Sequence, residues 1–358
     1  MPGLIGYPNM YRHQQMVFEA VKTGKHVLVS TGTGSGKTEA FLYPIIDDLL
    51  RQRDQGNVEG LAATLIYPMN ALANDQLERL RVILAGTGIT FGQWIGSTPK
   101  TGHSNLVDRF DGSDRTAFLA ERERRLEEAR RRDRAARAFA PQEECLSEEE
   151  IRERKPRILI TNYRQLEILA TRLPDILLFA SAPLKYLVFD EAHTYDGAAG
   201  AEVACLIRRI RGLARKSPEE VICIGTSATL TDPQKADDDG AAKRFASRFF
   251  GVDEANVSLV GEAYVQREWP QERYRPEPPQ GNGMERVNRL MTALGEEADI
   301  AVIKSEVEWL TGKTFEPGKD WRTSLFDHLI GNDYVYCAEN APRLRKNLWK
   351  ARGLSQIS

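Results

Sequence analysis

Little in this chain of 358 residues points to a metal scaffold, an export route or a membrane. Its four cysteines, Cys145, Cys205, Cys223 and Cys337, are scattered, and no Cys-x-x-Cys pair or Cys/His cluster has the spacing of a zinc site. Cys205 and Cys223 lie in apolar runs and are expected in the core. So few isolated thiols fit a reducing compartment, and a cytoplasmic location is expected. The opening Met1-Pro2-Gly3-Leu4 lacks the basic and apolar regions of a secretion signal. No apolar run approaches the roughly 20 residues of a membrane-spanning helix, so no membrane partner is expected. The formal net charge of −2 leaves no global basic field to attract nucleic acid, although a local basic face can hide in a neutral total.

What the chain does have is alternation. Apolar runs at His26–Ser30, Ala63–Tyr67, 89–95, 157–161, 185–190 and 221–226 are short and rich in β-branched residues, which predicts strands covered on both faces. Helical patterns lie between them, at 11–23, 37–52, 70–85, 163–171, 200–214 and 241–250. This order predicts an α/β fold with a parallel sheet flanked by helices and ligands at the carboxyl ends of the strands.

Two regions break the pattern. Residues 101–156 are expected to be a protruding charged insertion, read as a helical hairpin. Residues 121–137 hold eight arginines and five acids, consistent with a solvated face or with an arm that touches nucleic acid or a partner. Excising 108–153 is then expected to leave the fold intact. Beyond residue 262 the chain changes character: 263–282 reads as a linker, rich in Pro, Gln and Gly from Glu268 to Asn282, and 283–358 as a helical extension with amphipathic stretches near 284–294 and 300–310.

The chemistry sits in two motifs. Thr31-Gly32-Thr33-Gly34-Ser35-Gly36-Lys37-Thr38 follows the first strand. Small residues let backbone N–H groups wrap phosphates, and the helix that follows points its positive end at them. Lys37 is expected to reach the β- and γ-phosphates and Thr38 to put its hydroxyl on Mg2+. Asp190-Glu191-Ala192-His193 ends another strand about 150 residues later. Asp190 is read as holding the metal through its water shell, Glu191 as orienting and deprotonating the attacking water, and His193 as coupling hydrolysis to motion. Ser227-Ala228-Thr229 ends the next strand, and its hydroxyls at Ser227 and Thr229 are expected near the acidic quartet. Upstream, Tyr11-Arg12-His13-Gln14 offers Arg12 and Gln14 to the nucleotide; an amide can pair with N6 and N7 of adenine and so select ATP. No Asn-Lys-x-Asp guanine reader is present, which disfavours a GTPase.

Together these motifs resemble the N-terminal RecA-like motor domain of superfamily 2 DEAD/DEAH-box helicases, over about residues 5–262. Tyr67 to Gln76 (YPMNALANDQ), Leu159-Ile160-Thr161-Asn162-Tyr163 and Phe189 to Arg209 resemble the Lhr-like and YprA/MrfA-like DNA helicases, as do large bacterial anti-phage helicases. The resemblance implies ATP and Mg2+ as cofactors and nucleic-acid contacts at Pro68, Asn70 and Gln76, at Thr161, Asn162 and Tyr163, and at Gly96 and Ser97. Contacts of that kind go to phosphates and ignore sequence. Single-stranded DNA is the expected partner, with RNA open as an alternative, and movement is expected 3′ to 5′. It also implies a second RecA-like domain bearing an arginine finger, in the same full-length protein or in another chain. No second strand-helix alternation follows residue 262. This chain alone is therefore expected to bind ATP and hydrolyse it slowly. The rival expectation is an ATP-switched nucleic-acid-binding subunit of a multiprotein complex, without processive unwinding.

Overall fold

The strands of the N-terminal unit are β1 (His26–Ser30), β2 (Ala63–Tyr67), β3 (Phe91–Trp94), β4 (Val107–Arg109), β5 (Ala138–Ala140), β6 (Glu144–Cys145), β7 (Ile158–Asn162), β8 (Tyr186–Phe189), β9 (Ile222–Ser227) and β10 (Val257–Gly261). All but β4 and β5 join one sheet in the order β10-β1-β9-β8-β2-β7-β3-β6, and every neighbouring pair is parallel. The computed structural model describes residues 10–32, 36–102, 105–195, 197–227, 238–261, 273–274, 277, 283–294, 299–318, 321–330 and 332. Residues Met1–Tyr264 form one unit and Val265–Ser358 another.

The helices of the first unit are α1 (Arg12–Lys22), α2 (Lys37–Asp54), α3 (Asn70–Leu84), α4 (Arg115–Arg131), α5 (Glu148–Arg154), α6 (Tyr163–Leu169), α7 (Leu173–Ile176), α8 (Gly197–Ala214) and α9 (Asp238–Phe250). Strand alternation sorts the core into two layers. Val27 and Val29 join Val17, Phe41, Ile45 and Leu80 from α1, α2 and α3. Leu28 points the other way, into a cluster with Leu166, Ile207 and Phe249 from α6, α8 and α9. Each such fully buried side chain contributes about 1.5–3 kcal/mol relative to exposure. All the strands run one way, so their carboxyl ends share one edge.

The register sets that edge. Ser30 lies opposite Ser227 and Gly261. Phe189 lies opposite Gly225, which brings Asp190 level with Thr226. Strand β9 thus stands between the strand that carries the phosphate loop and the strand that carries the acids.

The insertion is not a helical hairpin. It holds one long exposed helix, α4, capped by the Asp114 carboxylate accepting from Thr116 N at 2.8 Å, and a small parallel pair, β4 with β5. Phe118, Phe139 and Ala85 form a buried cluster of their own beneath it. Its last part belongs to the main structure: β6 adds an edge strand beside β3, and Ile151 is fully buried. Arg81 on α3 grips Glu144 on β6 through Nε at 2.6 Å and Nη2 at 2.7 Å. Excising 108–153 would strip this strand, remove the buried Ile151 and take from Arg81 its two bonds to Glu144, leaving it only Glu78, so the expectation of a dispensable insertion is corrected. Cys205 is also corrected: it is exposed on α8, while Cys223 on β9 is buried.

In the second unit, α10 (Gly283–Ala293), α11 (Ile300–Thr311) and α12 (Trp321–Ile330) are described. Ala293, Ile303, Val307 and Phe315 make its small core. The buried carboxylate of Glu306 is held by Arg286 at 2.5 Å and Arg289 at 3.3 Å. Among the described residues its only strand-like pairing is the bridge between Tyr274 and Asn332. Of the expected linker, only Arg273, Tyr274 and Glu277 fall among the described residues.

Candidate active site

The phosphate loop leaves β1 at Thr31, whose N–H donates to Ser227 O at 3.3 Å and so continues the ladder. Gly32 and Gly36 are described; Thr33, Gly34 and Ser35 lie outside the described residues. Gly36 has φ +78°, a left-handed conformation that favours glycine. A Cβ there would also stand 2.6 Å from Gln14 Nε2. The Gln14 amide is engaged on both sides: Nε2 donates to Gly36 O at 3.0 Å and Oε1 accepts from Tyr11 N at 2.9 Å. In this arrangement Gln14 clamps the loop to α1, and its amide keeps a second N–H and a second oxygen lone pair beyond these two bonds. Arg12 is exposed beside it. Tyr11, 65 % exposed next to Gly36, offers an aromatic face that the sequence reading passed over.

Lys37 opens α2, and Thr38 follows it half-buried. Lys37 Nζ lies 3.5 Å from Glu191 Oε1. Asp190 and Glu191 hang on one hydroxyl. Thr226 Oγ1 donates to Asp190 Oδ1 and accepts from Glu191 N at 3.1 Å. That bond fixes Glu191 in a left-handed backbone conformation, φ +49°, which costs a non-glycine residue on the order of 1 kcal/mol or more. Glu191 Oε2 is buried and makes no hydrogen bond, with His193 Nδ1 3.2 Å away. The same His193 nitrogen lies 3.3 Å from Ser227 Oγ. Thr229 lies outside the described residues. Thr226 is the residue of this edge that the sequence does not flag; its signal is its place at the end of an apolar strand, just before Ser227.

Burial raises the Asp190 carboxyl above its ordinary range; the Thr226 bond opposes this, the Glu191 charge adds to it, and Lys37 opposes it. A hard cation would relieve the cost of the ionised form. One half-buried carboxylate, with the half-buried Thr38 hydroxyl following Lys37 at the start of α2, fits Mg2+, which takes one or two carboxylates and completes its shell with water and phosphate oxygens.

The other half of the edge is formed by β2, β7 and β3. Pro68 is half-buried and Asn70 exposed after β2. Asn162 Nδ2 donates to Asn70 Oδ1 at 2.8 Å, and its Oδ1 accepts from Gln165 N at 2.8 Å, capping α6. Tyr163 stacks edge-on with Tyr195. Thr98 Oγ1 closes the turn after β3 by donating to Gln93 O and accepting from Ile95 N, both at 3.0 Å, and Gly96 and Ser97 stand exposed at its tip. Two expected contacts do not face out. Thr161 is fully buried and its hydroxyl donates to Trp94 O at 2.7 Å. Gln76 is half-buried on α3, with a buried Oε1 that accepts no hydrogen bond.

A lysine after a glycine-rich loop, an acid pair ordered by the intervening strand, and exposed loops beyond are the parts of a nucleotide-driven motor. Residues 11–122 and 120–237 match the DEAD/DEAH box helicase family. The chain belongs to that family. Relatives include the Druantia protein DruE of Escherichia coli (strain UMEA 4076-1), 30% identical over 293 residues, covering 63% of this chain and 16% of that protein. The uncharacterized ATP-dependent helicase YprA of Bacillus subtilis (strain 168) is 28% identical over 232 residues, covering 64% of this chain and 24% of its own length. The ATP-dependent helicase hrq1 of Schizosaccharomyces pombe (strain 972 / ATCC 24843) is 28% identical over 253 residues, 70% of this chain and 18% of that protein. The matched stretch is under a quarter of each relative. Residues 11–237 are a DEAD/DEAH box motor domain, and no helix among the described residues is long and apolar enough to cross a membrane.

Proposed function

We propose that this chain is the first motor domain of an ATP-dependent DNA helicase or translocase, binding ATP with Mg2+ at the edge formed by β1, β9 and β8. The observation that carries this reading is the single Thr226 hydroxyl that orders Asp190 and Glu191 opposite Lys37. The arriving γ-phosphate competes for the Lys37 ammonium and draws it off Glu191. Glu191 Oε2 then takes the proton of the attacking water, and its left-handed backbone holds it in place. Bound magnesium would neutralise phosphate oxygens beside Asp190 and Thr38. Gln14 offers adenine the second N–H and second oxygen lone pair of an amide already tied to Gly36 and Tyr11, and Tyr11 supplies a stacking face.

DNA phosphates lie along Pro68, Asn70, Gly96, Ser97, Asn162 and Tyr163. A second RecA-like domain closes over the nucleotide from the same protein or a separate chain. Its arginine finger would supply a factor of about 10³–10⁵ in turnover. A cytoplasmic location accords with the scattered cysteines. The test is ATP hydrolysis by the chain alone, with single-stranded DNA, and with DNA plus the candidate second-domain polypeptide. Turnover that appears only in the third condition supports a split motor. Brisk turnover by the chain alone overturns the need for a partner domain, and nucleotide binding that no condition converts to turnover favours the ATP-switched subunit.

A further inference from the structure

The far end of the arginine-rich helix is built differently from the rest of it. Nearer its start, Arg122 pairs with Glu78 at 3.5 Å, Arg124 with Glu121 at 2.8 Å, and Arg125 with Asp108 and Glu121 at 2.7 Å. Beyond Arg125 the carboxylates run short. Residues 130–137 hold five arginines and a single acid, Asp133. Arg131 and Arg132 each keep one partner, and Arg137 shares Asp108 with Arg125. The Arg130 and Arg134 side chains make no ion pair among the described residues. Arg125, Arg132, Arg134 and Arg137 line a cavity of about 250 Å³ against only Asp108 and Glu128, an excess of two positive charges.

The fold carries this cluster to the carboxyl edge. Arg115 at the start of α4 donates to Ile83 O at 2.7 Å and Ala85 O at 3.2 Å, at the far end of α3. Seven residues later Arg122 reaches Glu78, so α4 runs back along α3 in the opposite direction. At a rise of 1.5 Å per residue, Arg122 to Arg132 climbs about 15 Å while Glu78 to Asn70 climbs about 12 Å. Arg132 therefore stands level with Asn70 or just past it, on the edge where the loops at 68–70 and 95–98 open.

We propose that this arginine cluster binds the phosphodiester backbone of a nucleic-acid strand and extends the track begun by those loops. The proposal rests on the motor-domain reading above. Guanidinium forks suit phosphate oxygens and desolvate more easily than ammonium groups. Contacts of this kind release counterions and carry no sequence preference.

The test uses the full chain and a fluorescein-labelled oligothymidylate, with binding followed by anisotropy across a salt series. The double variant Arg132→Ala/Arg134→Ala should lose about tenfold in affinity at low salt and shrink the log–log salt slope by about 1.4, at about 0.7 per single-strand phosphate contact. Arg134→Glu should weaken binding further, and the melting temperature should not move in either. If the wild type binds and both variants match it in affinity and slope, the cluster does not touch the strand, and an acidic protein becomes the better partner. If the wild type does not bind the oligonucleotide at all, the motor reading falls together with this one.

Discussion

Two cation–carboxylate pairs in this domain look alike on paper and differ in every physical respect. Arg81 and Glu144 are 5% and 3% exposed, joined through two hydrogen bonds of 2.6 and 2.7 Å. Desolvation opposes the charge on Arg81, but the bonds and charge of Glu144 outweigh it and hold the guanidinium ionised. Lys37 and Glu191 meet once, at 3.5 Å, with side chains 10% and 24% exposed and one carboxylate oxygen making no hydrogen bond. The first pair is saturated and ties edge strand β6 to α3. The second is loose and lies next to a strained backbone. Saturation, more than burial, separates the scaffold from the site.

The widest gap between the two should open under Glu191→Gln. Turnover should fall by about 10²–10⁴-fold, the usual worth of a general base, while nucleotide binding and the melting temperature hold. Equal phosphate release from the two proteins would show that another group takes the proton. Arg81→Met should do the reverse, costing about 3–5 kcal/mol in urea unfolding because Glu144 is left buried without its partner. Turnover per folded molecule should be unchanged. In the double variant Arg81→Met/Glu144→Leu much of that loss should return, and a double variant as unstable as the single would contradict the account.

Thr226→Val tests the hydroxyl that joins the acids. It should cost about 1–3 kcal/mol, the penalty of unpaired buried polar groups, and lower turnover with it. Unchanged turnover would mean that Asp190 and Glu191 hold their places unaided. The smallest effect belongs to α4, where Arg124 is 62% exposed between Glu121 and Glu128. Arg124→Ala should change stability by no more than about 0.5 kcal/mol. A larger loss in an unfolding titration would show that the exposed helix is structural after all.

The half of the edge that carries the phosphate loop and the acid pair was legible because its motifs are local. A glycine-rich turn before Lys37 and an acid pair after a run of Tyr186–Phe189 are short patterns that each declare themselves. Thr226 was not legible, since a threonine at a strand end acquires meaning only when the register sets it level with Asp190. Thr161 misled for a related reason: it ends a strand like its neighbours, but alternation turns its hydroxyl inward to Trp94. Cys205 lay in an apolar run, yet the helical turn leaves it outside.

The insertion was the harder case. Its stretches at 115–131 and 144–154 are both dense in Arg and Glu, and composition alone gave no reason to separate them. By itself the sequence determined the class of fold, the order of the strands along the chain and the residues able to handle phosphate, because periodicity and short-range chemistry act between near neighbours. Only the tertiary structure decided which charged stretch became an exposed arm and which an edge strand, and which of two glutamates was held by two short bonds and which by one long one. Those outcomes rest on pairing between residues far apart in the chain, as between Arg81 and Glu144 or Asp190 and Thr226, and no local pattern encodes them.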